Sequence, residues 1–170
     1  MLCRETSLLT NAVLTMEKTL TLQVNGKKHT VTVDPATPLL YVLRNQLQLN
    51  GPKYGCALHQ CGSCMVLLNG KANPSCQIPV DAVTTLSITT LEGLIRPDGS
   101  LHPVQQAFVD QQAAQCGYCL NGMVISAVSL LQETKKPDDT AIREGMQRVL
   151  CRCGSQARVM RAIKQAAQHS

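Results

Sequence analysis

Eight of the nine cysteines in this 170-residue chain fall into two groups of four, and these groups limit what the chain can fold into. The first cysteine group has the pattern C-x4-C-x2-C-x11-C and consists of Cys56, Cys61, Cys64 and Cys76. The second cysteine group has the pattern C-x2-C-x31-C-x1-C and consists of Cys116, Cys119, Cys151 and Cys153. We therefore expect a fold that brings the four thiols of each group together.

The first three cysteines of the first group have the spacing of a plant-type [2Fe–2S] binding loop. Gly55 and Gly62 favour a tight loop in which backbone N–H groups can approach the sulfurs. After the loop, Met65–Leu68 is predicted to form a strand, and Asn69-Gly70 a hairpin turn that returns the chain to Cys76. The spacing predicts a [2Fe–2S] site here, although the return to the fourth cysteine is shorter than in most plant-type ferredoxins.

The second group predicts a four-ligand site divided between two helical hairpins, each with a cysteine pair at its tip. Two of the helices would begin at the cysteines, so that their positive N-termini stabilise an anionic centre. A C-x2-C pair with a C-x-C pair could also hold zinc. The histidines do not fit a Rieske pattern, and His59 is predicted to be a solvated loop residue rather than a ligand. Glycine-flanked loops favour metal sites over a secreted disulfide framework.

The pattern outside the cysteine groups changes along the chain from a period of two to a period of 3.6. Thr19–Val24 and His29–Val33 alternate as a hairpin around Asn25-Gly26. A helix follows, with Thr37 as the N-cap and Pro38 in the first turn, and a last strand is predicted at Leu86–Thr89. This order of elements predicts a β-grasp domain.

Four helices are predicted in the second half of the chain. They run from Val104 to about Gln115, from Leu120 to Leu131, from an Asp138 cap to Leu150, and from a Ser155 cap to Ala167. The predicted fold class is therefore α+β, with an N-terminal β-grasp (plant ferredoxin-like) domain followed by an all-α four-helix domain. The expected divisions are a flexible extension at 1–16 with Met16 as an alternative start, a ferredoxin-like domain at 17–92 and a helical domain at 93–170.

The charge and hydropathy of the chain argue against nucleic-acid and membrane-spanning functions. The formal net charge of +5 falls to roughly +1 if each group holds an oxidised cluster of about −2. There is no basic patch of the kind that binds nucleic acid, and no apolar run approaches the ~18 residues of a membrane span. We expect a cytoplasmic protein, peripheral to the inner membrane at most through a partner, in which Cys3 is an inert thiol.

No phosphate loop, nucleotide fingerprint or catalytic triad is present, so the chain has predicted redox sites but no catalytic residues of its own. Its motifs, in contrast, resemble those of one family. Gly51–Cys64 with Cys76, Gln115–Cys119 (QCGYC) and Leu150–Gly154 (LCRCG) resemble the small iron–sulfur subunit of the molybdenum hydroxylases, the xanthine oxidase family. Within this family, they resemble in particular the small subunits of isoquinoline oxidoreductase and nicotinate dehydrogenase type.

The resemblance implies an electron-transfer subunit that holds two [2Fe–2S] clusters. A large partner chain would carry a molybdenum–pterin, molybdopterin cytosine dinucleotide, and would hydroxylate an N-heteroaromatic compound or oxidise an aldehyde. Electrons would pass through the helical-domain cluster and then the plant-type cluster to a flavin subunit or a c-type cytochrome. The glutamine of the QCGYC motif contacts the pterin in this family, and this role carries over to Gln115.

The chain departs from its apparent relatives at Leu120-Asn121-Gly122, where Thr-Pro-Gly is common, and at Ser155-Gln156, where Thr-His or Thr-Tyr is common. Both departures lie beside ligands and remove none. Two other functions stay open from the sequence. One is a free-standing two-cluster ferredoxin, although such proteins usually present an acidic docking face. The other is a zinc-stapled interaction module without a redox role.

Overall fold

The computed structural model describes residues 16–168. The predictions for Cys3 and for the extension up to residue 15 lie outside these residues. The described chain forms a five-stranded mixed sheet with one helix, followed by a four-helix part. The predicted α+β class is confirmed.

The first two strands form the predicted hairpin. Strand β1 (Lys18–Val24) pairs antiparallel with β2 (Lys27–Val33). Asn25 and Gly26 both have positive φ values, 51° and 75°, which gives the turn the handedness that matches the twist of the strands. One face of the hairpin is buried, through Leu22, Val24, Val31 and Val33.

The sheet has the strand order β2-β1-β5-β3-β4. β5 (Ser87–Thr89) lies parallel to β1, and β3 (Met65–Leu68) is antiparallel to both β5 and β4 (Lys71–Pro74). The predicted Asn69-Gly70 turn joins β3 to β4, again with positive φ at both residues. One helix packs against this sheet, as in a β-grasp fold.

Helix α1 (Leu39–Tyr41) continues directly into a π-helical turn, Val42–Gln46. The predicted Thr37 N-cap is wrong, because Pro38 is the N-cap and no side chain caps the helix. The reason is that distant backbone carbonyls satisfy the first helical N–H groups. Leu39 N donates to Ile78 O at 2.8 Å, and Leu40 N donates to Ser75 O at 3.1 Å. The segment around Cys76 is therefore tied to the start of α1.

The helical part has the four predicted helices. They are α2 (Pro103–Asp110), α3 (Leu120–Glu133), α4 (Asp139–Met146) and α5 (Gln156–Ala166). His102 and Asp138 cap α2 and α4 through their side chains. Ser155 is the N-cap of α5 by position, but its hydroxyl makes no cap hydrogen bond and is used elsewhere.

Helix α2 ends earlier than the predicted boundary near Gln115. Gln112 adopts a left-handed φ of 47° just after the helix, and its N–H donates to Val109 O. Ala113 N donates to Phe108 O at 2.9 Å, which completes a Schellman motif. The sequence did not reveal this stop because glutamine, not glycine, occupies the left-handed position.

The prediction that the third helix extends to Leu150 is also wrong. The helix ends at Met146, and Leu150 is 62% exposed, whereas Val149 is buried. The N–H of Leu150 donates to Cys61 O at 3.0 Å, so this segment is held by the first cysteine loop rather than by helical bonds.

The sheet and the helices share one apolar core. Met65 and Leu67 of β3 belong to the same buried cluster as Met123, Ile125 and the other inward residues of the helices. A second cluster lies between the sheet and α1. The two cysteine-bearing parts are therefore packed as one body. No helix within residues 16–168 is both long enough and apolar enough to cross a membrane.

Candidate iron–sulfur centres

The first cysteine group is assembled from the loop before β3 and the segment after β4. Cys56 and Cys61 are partly exposed, whereas Cys64 and Cys76 are buried beside Leu40 at the start of α1. None of the eight cysteines of the two groups forms a disulfide bond.

Backbone N–H groups surround the exposed half of this group. The N–H groups of Leu58, Gln60 and Cys61 lie 3.3–3.4 Å from Cys56 Sγ, and Cys56 N lies 3.4 Å from Cys61 Sγ. Partial burial raises the pKa of the Cys56 thiol, but these hydrogen bonds outweigh it and lower the pKa to about 7. The loop therefore favours a thiolate, the form that binds metal.

The buried half of the group behaves in the opposite way. Burial, together with the neighbouring Cys76, raises the pKa of Cys64 to about 12. As a free thiol Cys64 keeps its proton, and a bound metal cation would displace it.

The turns of this loop are formed by left-handed backbone conformations at Ala57, His59 and Gly62. The prediction that His59 is a solvated residue is wrong in part, because its Nε2 atom is buried and has no hydrogen-bond partner. A side chain added at Gly55 would place its Cβ 2.7 Å from Cys61 Sγ. Glycine is therefore required for the backbone to approach the sulfur this closely.

The second cysteine group lies between the ends of the two helical hairpins, as predicted. Its four thiols line one small cavity together with Gln115 and Ser155. Helix α3 begins directly after Cys119, and α5 begins three residues after Cys153. Both helix N-termini thus lie beside the site, where they favour negative charge.

The hydrogen bonds of this group differ between its members. Partial burial raises the pKa of the Cys151 thiol, but the hydroxyl and N–H of Ser155 outweigh it and lower the pKa to about 7. Ser155 Oγ lies 3.2 Å from Cys151 Sγ, and the serine is 2% exposed. Burial and the adjacent Cys151 raise the pKa of Cys119 to about 11.

The thiols of both groups meet in pairs. In the first group Cys56 contacts Cys61, and Cys64 contacts Cys76. In the second, Cys116 contacts Cys153 and Cys119 contacts Cys151. Two pairs of thiolates are the donor set that two bridged irons require, so the residues present fit a [2Fe–2S] cluster in each group. Within residues 16–168, no three His, Cys, Asp or Glu side chains are arranged as ligands of a single metal ion.

Gln115 lies at the exposed edge of the second group. Its Nε2 donates to Cys153 O at 3.0 Å, which holds the side chain beside this cysteine. Its contact with a pterin stays a prediction.

The two groups are connected by contacts that the sequence analysis missed. Cys61 O accepts the N–H of Leu150, the residue before Cys151. Asn121, two residues after Cys119, donates from Nδ2 to Ser63 O at 3.0 Å and to Met65 O at 2.9 Å. The Tyr118 hydroxyl donates to Tyr54 O. The only sequence signal was the departure at Asn121.

The fold and the paired thiols define a class: an iron–sulfur protein with a ferredoxin-like part and a helical part. Family models agree with this class. Residues 22–85 match a 2Fe-2S iron-sulfur cluster binding domain, and residues 90–164 match a second model described as a [2Fe-2S] binding domain.

Curated relatives specify the family. The chain is 51% identical to a nicotinate dehydrogenase subunit of Pseudomonas putida, over 90% of this chain and 97% of the relative. It is 43% identical to the alpha subunit of isoquinoline 1-oxidoreductase from Brevundimonas diminuta, over 86% of this chain and 96% of that one. The chain belongs to the family of small [2Fe–2S] subunits of the molybdenum hydroxylases, whose members are subunits of oxidoreductases.

Solved structures show the same relationship. Quinoline 2-oxidoreductase from Pseudomonas putida 86 matches with a TM-score of 0.84 and 34% identity, over 89% of this chain and 94% of that one. The aldehyde oxidoreductase of Desulfovibrio desulfuricans matches with a TM-score of 0.84 and 41% identity, over 89% of this chain. There the match covers 17% of a much longer chain.

Proposed function

We propose that this chain is the electron-transfer subunit of a heteromeric molybdenum hydroxylase, and that each cysteine group holds one [2Fe–2S] cluster. The observation that carries the proposal is the convergence of eight cysteines, none of them in a disulfide, on two sites of one packed body. When bound, each cluster supplies reversible one-electron redox chemistry.

The residues around the first group would stabilise the bound thiolates and keep water away from them. The N–H donors on Cys56 and Cys61 compensate the negative charge of bound thiolates, and the burial of Cys64 and Cys76 excludes water from the opposite side. The exposed side, at Leu58 and Gln60, is the face that we assign to the electron acceptor.

The residues of the second group orient this chain toward the catalytic partner. Cys116 and Cys153 are exposed, and Gln115 is held beside them. We propose that this edge faces the molybdenum–pterin, molybdopterin cytosine dinucleotide, of a large partner chain, and that Gln115 contacts the pterin. The proposed domain limits are 17–92 and 93–170, and the proposed location is the cytoplasm.

The substrate class is proposed from the relatives. Their names include a nicotinate dehydrogenase, an isoquinoline oxidoreductase and an aldehyde oxidoreductase. We propose that the complex hydroxylates an N-heteroaromatic compound or oxidises an aldehyde on the partner chain, and that the electrons then pass to a c-type cytochrome or a flavin subunit.

The proposal is tested on the complex that an affinity-tagged chain retains when it is purified from its native host under anaerobic conditions. Molybdenum is measured, and nicotinate, isoquinoline and an aromatic aldehyde are added in turn while the visible iron–sulfur absorption is recorded. We expect a larger molybdenum-bearing chain in the complex and bleaching by one substrate class. A chain that carries clusters but no partner would instead be a ferredoxin, and a chain with zinc and no iron would be a structural module.

A further inference from the structure

Asn121 makes a buried polar contact between the two cysteine-bearing parts. It is 1% exposed and lies in the first turn of α3, two residues after Cys119. Its Nδ2 donates to the carbonyl oxygens of Ser63 and Met65, which flank Cys64 in the chain. One side chain thus spans the backbone on both sides of a first-group thiol and anchors it to a helix that begins at a second-group thiol.

The orientation of this amide is fixed by its partners. A flipped amide would place Oδ1 against two carbonyl oxygens, so Nδ2 must face them. Oδ1 is then buried with no hydrogen-bond partner. An unsatisfied buried acceptor is unfavourable. The favourable contribution of the Asn121 amide therefore comes from the two hydrogen bonds that Nδ2 donates.

The backbone around Asn121 is packed so closely against the first cysteine loop that two glycines at the contact have no room for a side chain. A Cβ at Gly122 would lie 2.2 Å from Gly62 O, and a Cβ at Gly62 would lie 2.5 Å from Arg148 O. The hydrogen bond from Leu150 N to Cys61 O lies at the same junction. We name this junction the inter-group seam: Cys61–Met65 on one side, and Asn121, Gly122 and 148–150 on the other.

We propose that Asn121 is a positioning residue that fixes the separation and orientation of the two clusters across the inter-group seam. The inference rests on the proposed function, since it assumes that both groups hold a cluster. The step concerned is the transfer of one electron, in which one cluster is oxidised and the other is reduced without a further reactant. Its rate and the magnetic interaction between the reduced clusters both depend steeply on their separation.

Three variants of the native complex test the proposal. Asn121→Leu keeps the branched shape and removes the N–H donors, while Asn121→Ala removes the same donors with a smaller side chain. Asn73→Leu is the matched control, because the Asn73 amide donates only within its own hairpin, to Lys71 O. Iron and sulfide are quantified for each, and the spin–spin splitting of the fully reduced clusters is measured by EPR.

We expect wild type and Asn73→Leu to show the same spin–spin splitting. At full iron content, the Asn121 variants should show a smaller or broadened splitting, and electron exchange between their clusters should be slower. An unchanged splitting in Asn121→Ala with full iron and sulfide would overturn the proposal. Loss of iron from both Asn121 variants, with Asn73→Leu intact, would also overturn it by assigning Asn121 to folding alone. A wild-type chain without iron would instead refute the proposed function.

Discussion

At the scale of single residues, a buried serine hydroxyl lies beside one cysteine sulfur in each group. Ser155 Oγ lies 3.2 Å from Cys151 Sγ, and Ser63 Oγ lies 3.6 Å from Cys61 Sγ. Cys61 Sγ is the donor to Ser63 Oγ, whereas either atom of the Ser155–Cys151 pair can donate. A metal-bound thiolate has no proton to give, so Ser155 would then donate to Cys151. Hydrogen bonds to ligand sulfurs favour the reduced, more negative state of a cluster.

Ser155→Ala is therefore expected to lower the midpoint potential of the second cluster and leave that of the first unchanged. Ser155→Thr keeps the hydroxyl and is expected to retain the wild-type value. The potentials are measured by redox titration followed by EPR, with Ser100→Ala, in the exposed linker, as the control. Equal potentials in wild type and Ser155→Ala would show that this hydroxyl does not act on the cluster.

At the scale of elements, the short 3-10 helix at Glu92–Leu94 anchors the first cysteine loop. Glu92 accepts the N–H of Gly51 at 2.6 Å and the hydroxyl of Thr90 at 2.6 Å. Partial burial raises the pKa of Glu92, but these hydrogen bonds outweigh it, and the pKa lies below its ordinary value of 4.5. The ionised carboxylate therefore stabilises the folded chain.

The sign of this coupling determines a pH dependence. The stabilisation by Glu92 is complete above its ordinary pKa of 4.5 and is lost as the pH falls through its lower folded pKa. We expect Glu92→Gln to lower the melting temperature at pH 7 and to flatten its fall below pH 4.5. Thermal unfolding across this range, with the exposed Glu144→Gln on α4 as the control, measures the effect. Parallel pH profiles of wild type and Glu92→Gln would contradict it.

The elements also show how far sequence reasoning reaches. The Asn25-Gly26 and Asn69-Gly70 turns and the cysteine spacings were readable because local chemistry determines them. The N-cap at Pro38 and the stop of α2 at Gln112 were not readable. At Pro38 distant carbonyls replace a capping side chain, and at Gln112 tertiary packing overrides the preference for glycine.

At the scale of the whole molecule, the ferredoxin-like part and the helical part are packed together and share one apolar core. Residues of β3 lie in the same buried cluster as those of the four helices, and α3 lies directly against the first cysteine loop at Gly62. The sequence predicted two sites but not their junction, because the residues of the seam are far apart in the chain. Only Asn121 gave a signal, as a departure from the family pattern.

Gly122→Ala tests this close approach. The new Cβ would lie 2.2 Å from Gly62 O, so α3 must move away from the loop. We expect a loss of roughly 1–3 kcal/mol of unfolding free energy and a lower iron content in the first cysteine group. Gly145→Ala on α4 is the matched control, since its Cβ would meet only the flexible end of Leu130, at 3.1 Å. Equal stability of Gly122→Ala and Gly145→Ala would show that the seam tolerates a wider gap.

Cofactor content and EPR determine whether the chain holds two clusters. The dithionite-reduced wild type is compared with Cys61→Ser and Cys151→Ser. We predict about four iron atoms and four sulfides per chain, with two distinguishable [2Fe–2S] signals. Each variant should lose the signal of its own group and keep the other. A single signal with about two iron atoms, or zinc without sulfide, would show that the chain does not hold two clusters.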